Sequence, residues 1–358
     1  MNSQIRQARI KGRGATARPE GRFESLARSR EDDGWFPPEE DGKPRTTLGV
    51  DRARRVLTDN DSPDVGFSRS INPYRGCEHG CAYCFARPTH SYLGLSPGLD
   101  FETKLFYKPD APERLARELA APNYKPTPIA LGINTDGWQP VERKTRLSRR
   151  ILEVLAAHKH PVGIVTKSAL IERDLDILAP MAAEGLAAVS FSVTTLDSEL
   201  SRRMEPRATA PRRRIEAMRR LAAAGVPVGV MVAPVIPALN DSDMERILEE
   251  AAGAGARYAG YVVLRLPHEL AELFPAWLET HYPERKAKVL ALLNDLHGGK
   301  LYDSSFGTRM RGQGEWSKLI AQRFSHAAGR HGLQRHGANL RTDLFLVPGR
   351  GVQTELPL

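Results

Sequence analysis

The chain has 358 residues, of which 41% are hydrophobic and 27% charged, and it carries a net charge of +9. The apolar share is enough for a sizeable interior and excludes disorder throughout, while the length allows one main core with appendages. No run of eighteen or more apolar residues occurs, the best candidate from Val226 to Leu239 being broken by Pro234 and Pro237, and Met1 to Pro19 lack the apolar centre of a secretory signal; these features predict a cytoplasmic protein without a membrane span.

Residues 1–65 are rich in Arg, Gly, Pro and Asp, and the first thirty hold eight Lys or Arg against Glu20 and Glu24, which is six of the nine net positive charges. This composition predicts a basic, largely disordered N-terminal extension with a short helix near Arg52 to Leu57. Such a tail can attract nucleic acid through its phosphates, although a solvated extension is the commoner role of a basic segment.

From Phe67 the pattern changes to short β-branched runs alternating with longer stretches of helical spacing. Strands are expected over Phe67–Asn72, Ile129–Asn134, Val162–Thr166, Ala188–Thr194, Val226–Ala233 and Tyr258–Arg265. Helices are expected over Pro112–Ala121, Arg146–His158, Ile171–Glu184, Pro211–Ala224 and Asp241–Ala254, with Pro211 in a first turn, Gly225 as a stop and Asp241 as an N-cap. Serial βα units of this kind imply a parallel sheet with right-handed crossovers, here an α/β fold of the partial (β/α)6, TIM-like barrel type over residues 66–266. Residues 267–358 read as a mostly helical C-terminal extension, with helices near His268–His281, Pro283–His297 and Glu315–Gly329.

The chain has three cysteines, and all fall in one loop after the first expected barrel strand, Asn72-Pro73-Tyr74-Arg75-Gly76-Cys77-Glu78-His79-Gly80-Cys81-Ala82-Tyr83-Cys84. An odd number packed this closely argues for metal ligation rather than a disulfide framework. Gly76 and Gly80 let the chain turn tightly, so Cys77, Cys81 and Cys84 can each hold one iron of a [4Fe–4S] cluster and leave the fourth iron without a protein thiolate. The competing arrangement is a structural zinc site completed by His79 or His90.

The Cys-x3-Cys-x-aromatic-Cys pattern, its place after the first strand and the six βα units resemble the radical S-adenosylmethionine (SAM) superfamily, within it the spore photoproduct lyase-like branch, over about Gly66 to Leu266. The resemblance implies a [4Fe–4S] cluster and SAM as cofactors, reductive cleavage of SAM, abstraction of a hydrogen atom from a substrate, and an electron donor such as flavodoxin or ferredoxin. It places Tyr83 against the SAM adenine, the Asn134-Thr135-Asp136 run near the methionyl amine, Lys167 on the SAM carboxylate, Ser192 on SAM, and the backbone from Met231 to Ala233 beside the adenine. Each position also has a plainer reading: a core aromatic for Tyr83, an Asx turn after the second barrel strand for Asn134 to Asp136, and a solvated strand-end charge for Lys167.

Alternation along Val189–Thr194 puts Ser190, Ser192 and Thr194 on one face of a buried strand, where their hydroxyls require partners. Glu205 lies in a mixed-charge loop that could reach ribose or phosphate or could simply face solvent. No catalytic residue is assigned. The lyase-like branch carries a further cysteine near the end of strand two that returns a hydrogen atom to the product, and this chain has none outside the loop. That departure puts the lyase reaction itself in doubt and leaves open a nucleic acid, a small metabolite, a peptide or a tRNA as substrate. The Arg-containing segment Leu301–Gly312 could cap the substrate side.

Overall fold

The computed structural model describes residues 12–23 and 45–348. In chain order these contain β1 (Thr47–Val50), β2 (Leu57–Asp59), β3 (Arg69–Ile71), β4 (Tyr74–Arg75), β5 (Lys104–Tyr107), β6 (Ile129–Leu131), β7 (Val162–Thr166), β8 (Ala187–Ser192), β9 (Val228–Val235) and β10 (Tyr258–Val263). One sheet runs in the order β2, β3, β6, β7, β8, β9, β10, parallel throughout except that β2 pairs antiparallel with β3 at its edge. Strands β1, β5 and β4 form a second, small sheet.

The six parallel strands are those expected from the β-branched runs, and the helices Ala111–Leu119, Leu147–Ala157, Leu175–Ala183, Pro211–Ala223 and Met244–Gly253 connect them. Along β7 and β10 burial alternates residue by residue. Ile164, Val189, Phe191, Val230 and Val232 are buried in the core shared with Ile151, Leu178, Met218 and Ile247 of the connecting helices. The intervening positions form the other face, where Val165 pairs with Ser190, and Met231 lies between Ser192 and Gly260. This is a partial barrel with a parallel wall, and its C-terminal strand ends are where such folds build their sites.

The N-terminal region departs from expectation. Arg52 to Val56 are not helical, because the chain runs extended into β2, and the backbone N–H groups of Val56 and Leu57 donate to the Glu118 carboxylate at 2.7 and 3.0 Å. β1 and β2 belong to the sheets, so the ordered core starts before residue 66, and residues 12–23 pack against it with Gly14 to Ala17 buried. The rest of the basic extension, 1–11 and 24–44, lies outside the described residues.

Pro211 opens its helix and Gly225 follows one with φ of +82°, as expected. Asp241 does not cap the helix that starts at Met244: a 3-10 turn, Asp241–Asp243, comes first, and Asp241 faces Arg323 at 3.5 Å. In the C-terminal extension the helices Leu270–His281 and Pro283–Leu296 cover an apolar group that includes Cys81 and Tyr83. The free edge of β10 is covered by single residues: Ala259 N–H donates to the Gln334 carbonyl at 2.8 Å and Val263 N–H to the Met310 carbonyl at 2.9 Å. Covering an edge in this way blocks pairing with another chain. Among the described residues no helix is long and apolar enough to cross a membrane.

Candidate metal and cofactor site

The cysteine loop leaves the small sheet at β4 and turns at Gly76 and Gly80, with φ of +78° and +65°. Both turns need glycine for a second reason. A Cβ on Gly76 would lie 2.8 Å from the Phe101 carbonyl oxygen, and one on Gly80 would lie 2.6 Å from Glu102 Oε2. Cys77 and Cys81 are buried and Cys84 is half-buried.

Three side chains grip the loop backbone. From the segment after β6, Gln139 Oε1 accepts from Glu78 N–H at 2.8 Å, while Thr135 Oγ1 donates to the Gly76 carbonyl at 2.8 Å. From the turn that follows Cys84, the buried Arg87 guanidinium donates to the carbonyls of Cys81 (2.8 Å), Gly80 (3.1 Å), Gly98 (2.8 Å) and Pro97 (3.2 Å), and pairs with the buried Glu102. Neither Gln139 nor Arg87 is marked by spacing in the sequence. The only hint is an arginine three positions past the last cysteine.

Asp136 is a hub rather than an open contact. Its oxygens accept from Thr166 Oγ1 (2.8 Å), Lys167 N–H (2.7 Å) and Trp138 N–H (2.8 Å), and His79 Nδ1 lies 3.4 Å away. Asn134, in contrast, is exposed, and its N–H donates to Asn72 Oδ1 at 2.8 Å.

A second group gathers at the ends of β7, β8 and β9. The Tyr83 hydroxyl donates to the Glu205 carboxylate and lies 3.1 Å from Thr194 Oγ1, which itself donates to Glu205 at 2.6 Å. Arg214, wholly buried, pairs with Glu205 and donates to the Ser192 carbonyl at 2.8 Å. Burial alone would raise the Glu205 carboxyl, but Arg214 and Lys167 bring it down to about 2. Glu205 is therefore buried in the site rather than in a solvent-facing loop. Arg214 was legible only in part: Pro211, Arg214, Ile215, Met218 and Leu221 share the buried side of their helix, so an arginine occupies an apolar position.

The Ser192 hydroxyl donates to the Ala233 carbonyl at 3.1 Å, tying the end of β8 to its neighbour, Ser190 is half-buried on the same face, and Thr194, whose proton goes to Glu205, lies just beyond the strand. Met231 and Ala233 are half-buried on β9. Asn240, which the sequence did not single out, ties these ends together by donating to the Thr194 and Pro234 carbonyls at 2.8 and 3.0 Å. Among the described residues Lys167 Nζ has no hydrogen bond or ion pair; it lies 5.8 Å from the Tyr83 ring centre, and the charges of Cys81 and Glu205 raise its pKa against the burial that would lower it.

The radical SAM superfamily model matches residues 71–251, the span that carries this loop and the strands around it. This chain belongs to the radical SAM superfamily. Uncharacterized proteins of Mycobacterium tuberculosis and Methanocaldococcus jannaschii are 39% identical over 220 residues and 25% identical over 215 residues. These alignments cover 61% and 60% of this chain, and 65% and 76% of the relatives, so less than two thirds of the mycobacterial protein's length is matched. Among solved structures, a spore photoproduct lyase complexed with dinucleoside spore photoproduct superposes with a TM-score of 0.57 at 18% identity, covering 80% of each chain. At that identity the likeness is one of fold.

Proposed function

We propose that the protein is a radical SAM enzyme in which Cys77, Cys81 and Cys84 hold a [4Fe–4S] cluster, SAM binds beside it at the ends of β7 to β9, and a hydrogen atom is taken from a phosphate-bearing substrate. The observation that carries the reading is the three-thiol loop, gripped by Arg87 and Gln139 at the mouth of a radical SAM barrel. The thiols suit iron. Burial pushes Cys77 well above its ordinary range, with Asp136 and the other thiols adding to it, and pushes Cys81 up to about 12 against the pull of Lys167. Cys77 and Cys81 would ionise together only beside a cationic body, which the irons would supply.

A single zinc would need a fourth ligand: His79 Nδ1 already faces Asp136 at 3.4 Å, while His90, whose Nε2 donates to the Lys104 carbonyl at 2.9 Å, has a buried Nδ1 with no hydrogen-bond partner among the described residues.

A [4Fe–4S] cluster held by Cys77, Cys81 and Cys84 would supply the one electron that reductive cleavage of SAM requires, itself received from an external donor such as flavodoxin or ferredoxin. The residues of the chain then have separate tasks. Lys167 offers an unpaired ammonium to the SAM carboxylate. Tyr83, held by Glu205 and Thr194, fixes the wall between cluster and β8, and Glu205 is kept ionised by Arg214 rather than left to exchange protons with a ligand.

The side of the mouth next to Cys84 supports this reading of the substrate. Arg265, at the end of β10, has no acceptor among the described residues and lies 4.4 Å over the ring of Phe85, which is exposed. A guanidinium with no acceptor among the described residues, set on an exposed aromatic ring, suits an anionic group attached to a planar one, as in a nucleotide unit.

Anaerobic reconstitution with iron and sulfide tests the reading. Uptake of about four irons, reductive formation of 5′-deoxyadenosine from SAM, and loss of the broad absorbance near 400 nm (roughly) in Cys77→Ala are expected. A single tetrahedral zinc in the purified protein would contradict it. Arg265→Ala should weaken binding of a short oligonucleotide without changing iron content; unchanged binding sinks the substrate assignment alone.

A further inference from the structure

Residues 12–23 come from a segment whose composition suggests no fixed structure, yet Gly14 to Ala17 lie buried along the cysteine loop. Gly14 approaches so closely that a Cβ on it would fall 1.7 Å from the Gly80 carbonyl oxygen and 3.3 Å from Ala82 N. The backbone N–H groups of Gly14 and Ala15 donate to Glu102 Oε2 and Oε1 at 3.0 and 2.7 Å. That same carboxylate pairs with Arg87, whose guanidinium holds the Gly80 and Cys81 carbonyls. One buried Glu102 therefore joins the N-terminal segment, the loop between the first two cysteines and the turn after the third.

The segment is fastened along its length. Ser96 Oγ donates to the Pro19 carbonyl at 2.7 Å, Arg18 reaches Asp100 at 3.3 Å, and Arg22 pairs with Glu269 at 2.8 Å. Gly98 gives it room, because a Cβ there would lie 2.4 Å from the Ala17 carbonyl oxygen. Ala17 itself packs in the apolar group that contains Cys81 and Tyr83.

We propose that residues 13–17 are part of the cluster site: a strap seated on the backbone of Gly80 to Ala82 that keeps the cysteine loop in its ligating shape and closes one side of it to water and oxygen. The inference rests on the reading of Cys77, Cys81 and Cys84 as cluster ligands. Gly14 and Glu102 act as positioning residues, since they touch the loop and not the iron. Interactions one shell out from a metal site commonly change how firmly the metal is held.

Gly14 is outside the left-handed region, so a side chain there is opposed by the approach to Gly80 and not by its own backbone. Full-length wild type, Gly14→Val and Gly14→Ala would be reconstituted anaerobically and assayed for iron, then followed for loss of cluster absorbance in air and for iron release to a chelator. Leu155→Ala, a core change in the helix Leu147–Ala157, serves as a control for general destabilisation, with urea midpoints of all apo forms recorded. Gly14→Val is expected to lose its cluster about tenfold faster than wild type. Gly14→Ala should fall between, and the control should keep the wild-type lifetime despite a lower midpoint. If Gly14→Val does not fold, Gly14→Ala decides. Wild-type lifetimes in both glycine variants, or an equally shortened lifetime in the control, overturn the strap. A wild type that takes up no cluster overturns the ligand assignment as well.

Discussion

Glu205 and Arg214 form an ion pair sealed from solvent beneath the Tyr83 hydroxyl, so the aromatic wall of the site stands on a charge pair carried by two different segments, the end of one helix and the start of the next. Removing one partner leaves the other charged and buried. Arg214→Leu is expected to cost about 3–5 kcal/mol in urea unfolding. A carboxyl depressed to about 2 contributes stability that is present above its ordinary value and lost as pH falls toward 2. In Arg214→Leu the acid transition should therefore move to higher pH; an unmoved transition would show that the pair does not hold Glu205 ionised.

Among the described residues the Lys167 ammonium has no hydrogen bond or ion pair and lies 5.8 Å from the Tyr83 ring centre. Lys167→Ala should weaken SAM binding to the reconstituted protein on the order of tenfold, the loss of one charge-assisted contact, with iron content unchanged. Titration calorimetry reads the first and iron assay the second. Equal affinity would reduce Lys167 to a strand-end charge.

Gly80→Ala places a methyl group against Glu102 and forces an L residue into φ of +65°. A cost of about 1 kcal/mol or more is expected from the backbone alone. The fuller effect should be lost iron uptake, measured after reconstitution, because the loop cannot close between Cys77 and Cys81.

His160, at the opposite end of the barrel, gives a pH dependence independent of the site. The Tyr124 hydroxyl donates to its Nε2 at 2.7 Å and its Nδ1 donates to the Pro161 carbonyl at 3.0 Å, which fixes a neutral ring. Burial lowers its pKa to about 4. The unfolded chain takes up the proton near pH 6.5 and the folded chain does not, so stability is full above that value and falls as pH drops toward 4, by about 3 kcal/mol in all. His160→Gln should flatten this slope in urea titrations between pH 7 and 4.

The six parallel strands were legible because β-branched runs such as Val162–Thr166 and Val228–Val235 are bounded by helical spacing on either side. The cysteine loop was legible because three of one rare residue share eight positions. What escaped was held by long-range contacts. Residues 12–23 owe their place to Glu102, Asp100 and Glu269, and Leu57 to Glu118, none of which local composition announces. Asp136 was singled out as polar at a strand end, but polarity alone could not reveal that Thr166, Lys167 and Trp138 already occupy its oxygens. Arg214 was hidden in a run of three arginines, only one of which faces inward.

The four carbonyls taken by the Arg87 guanidinium belong to stretches on both sides of Glu102's hold on the chain. The groups that hold the ligand loop are protein carbonyls and one guanidinium, none of them a proposed iron ligand's thiol. A loop held in this way is expected to keep its shape when metal is removed, unlike a zinc finger whose fold collapses on chelation. Stripping the iron should leave far-ultraviolet circular dichroism unchanged, and an empty protein should be competent to refill.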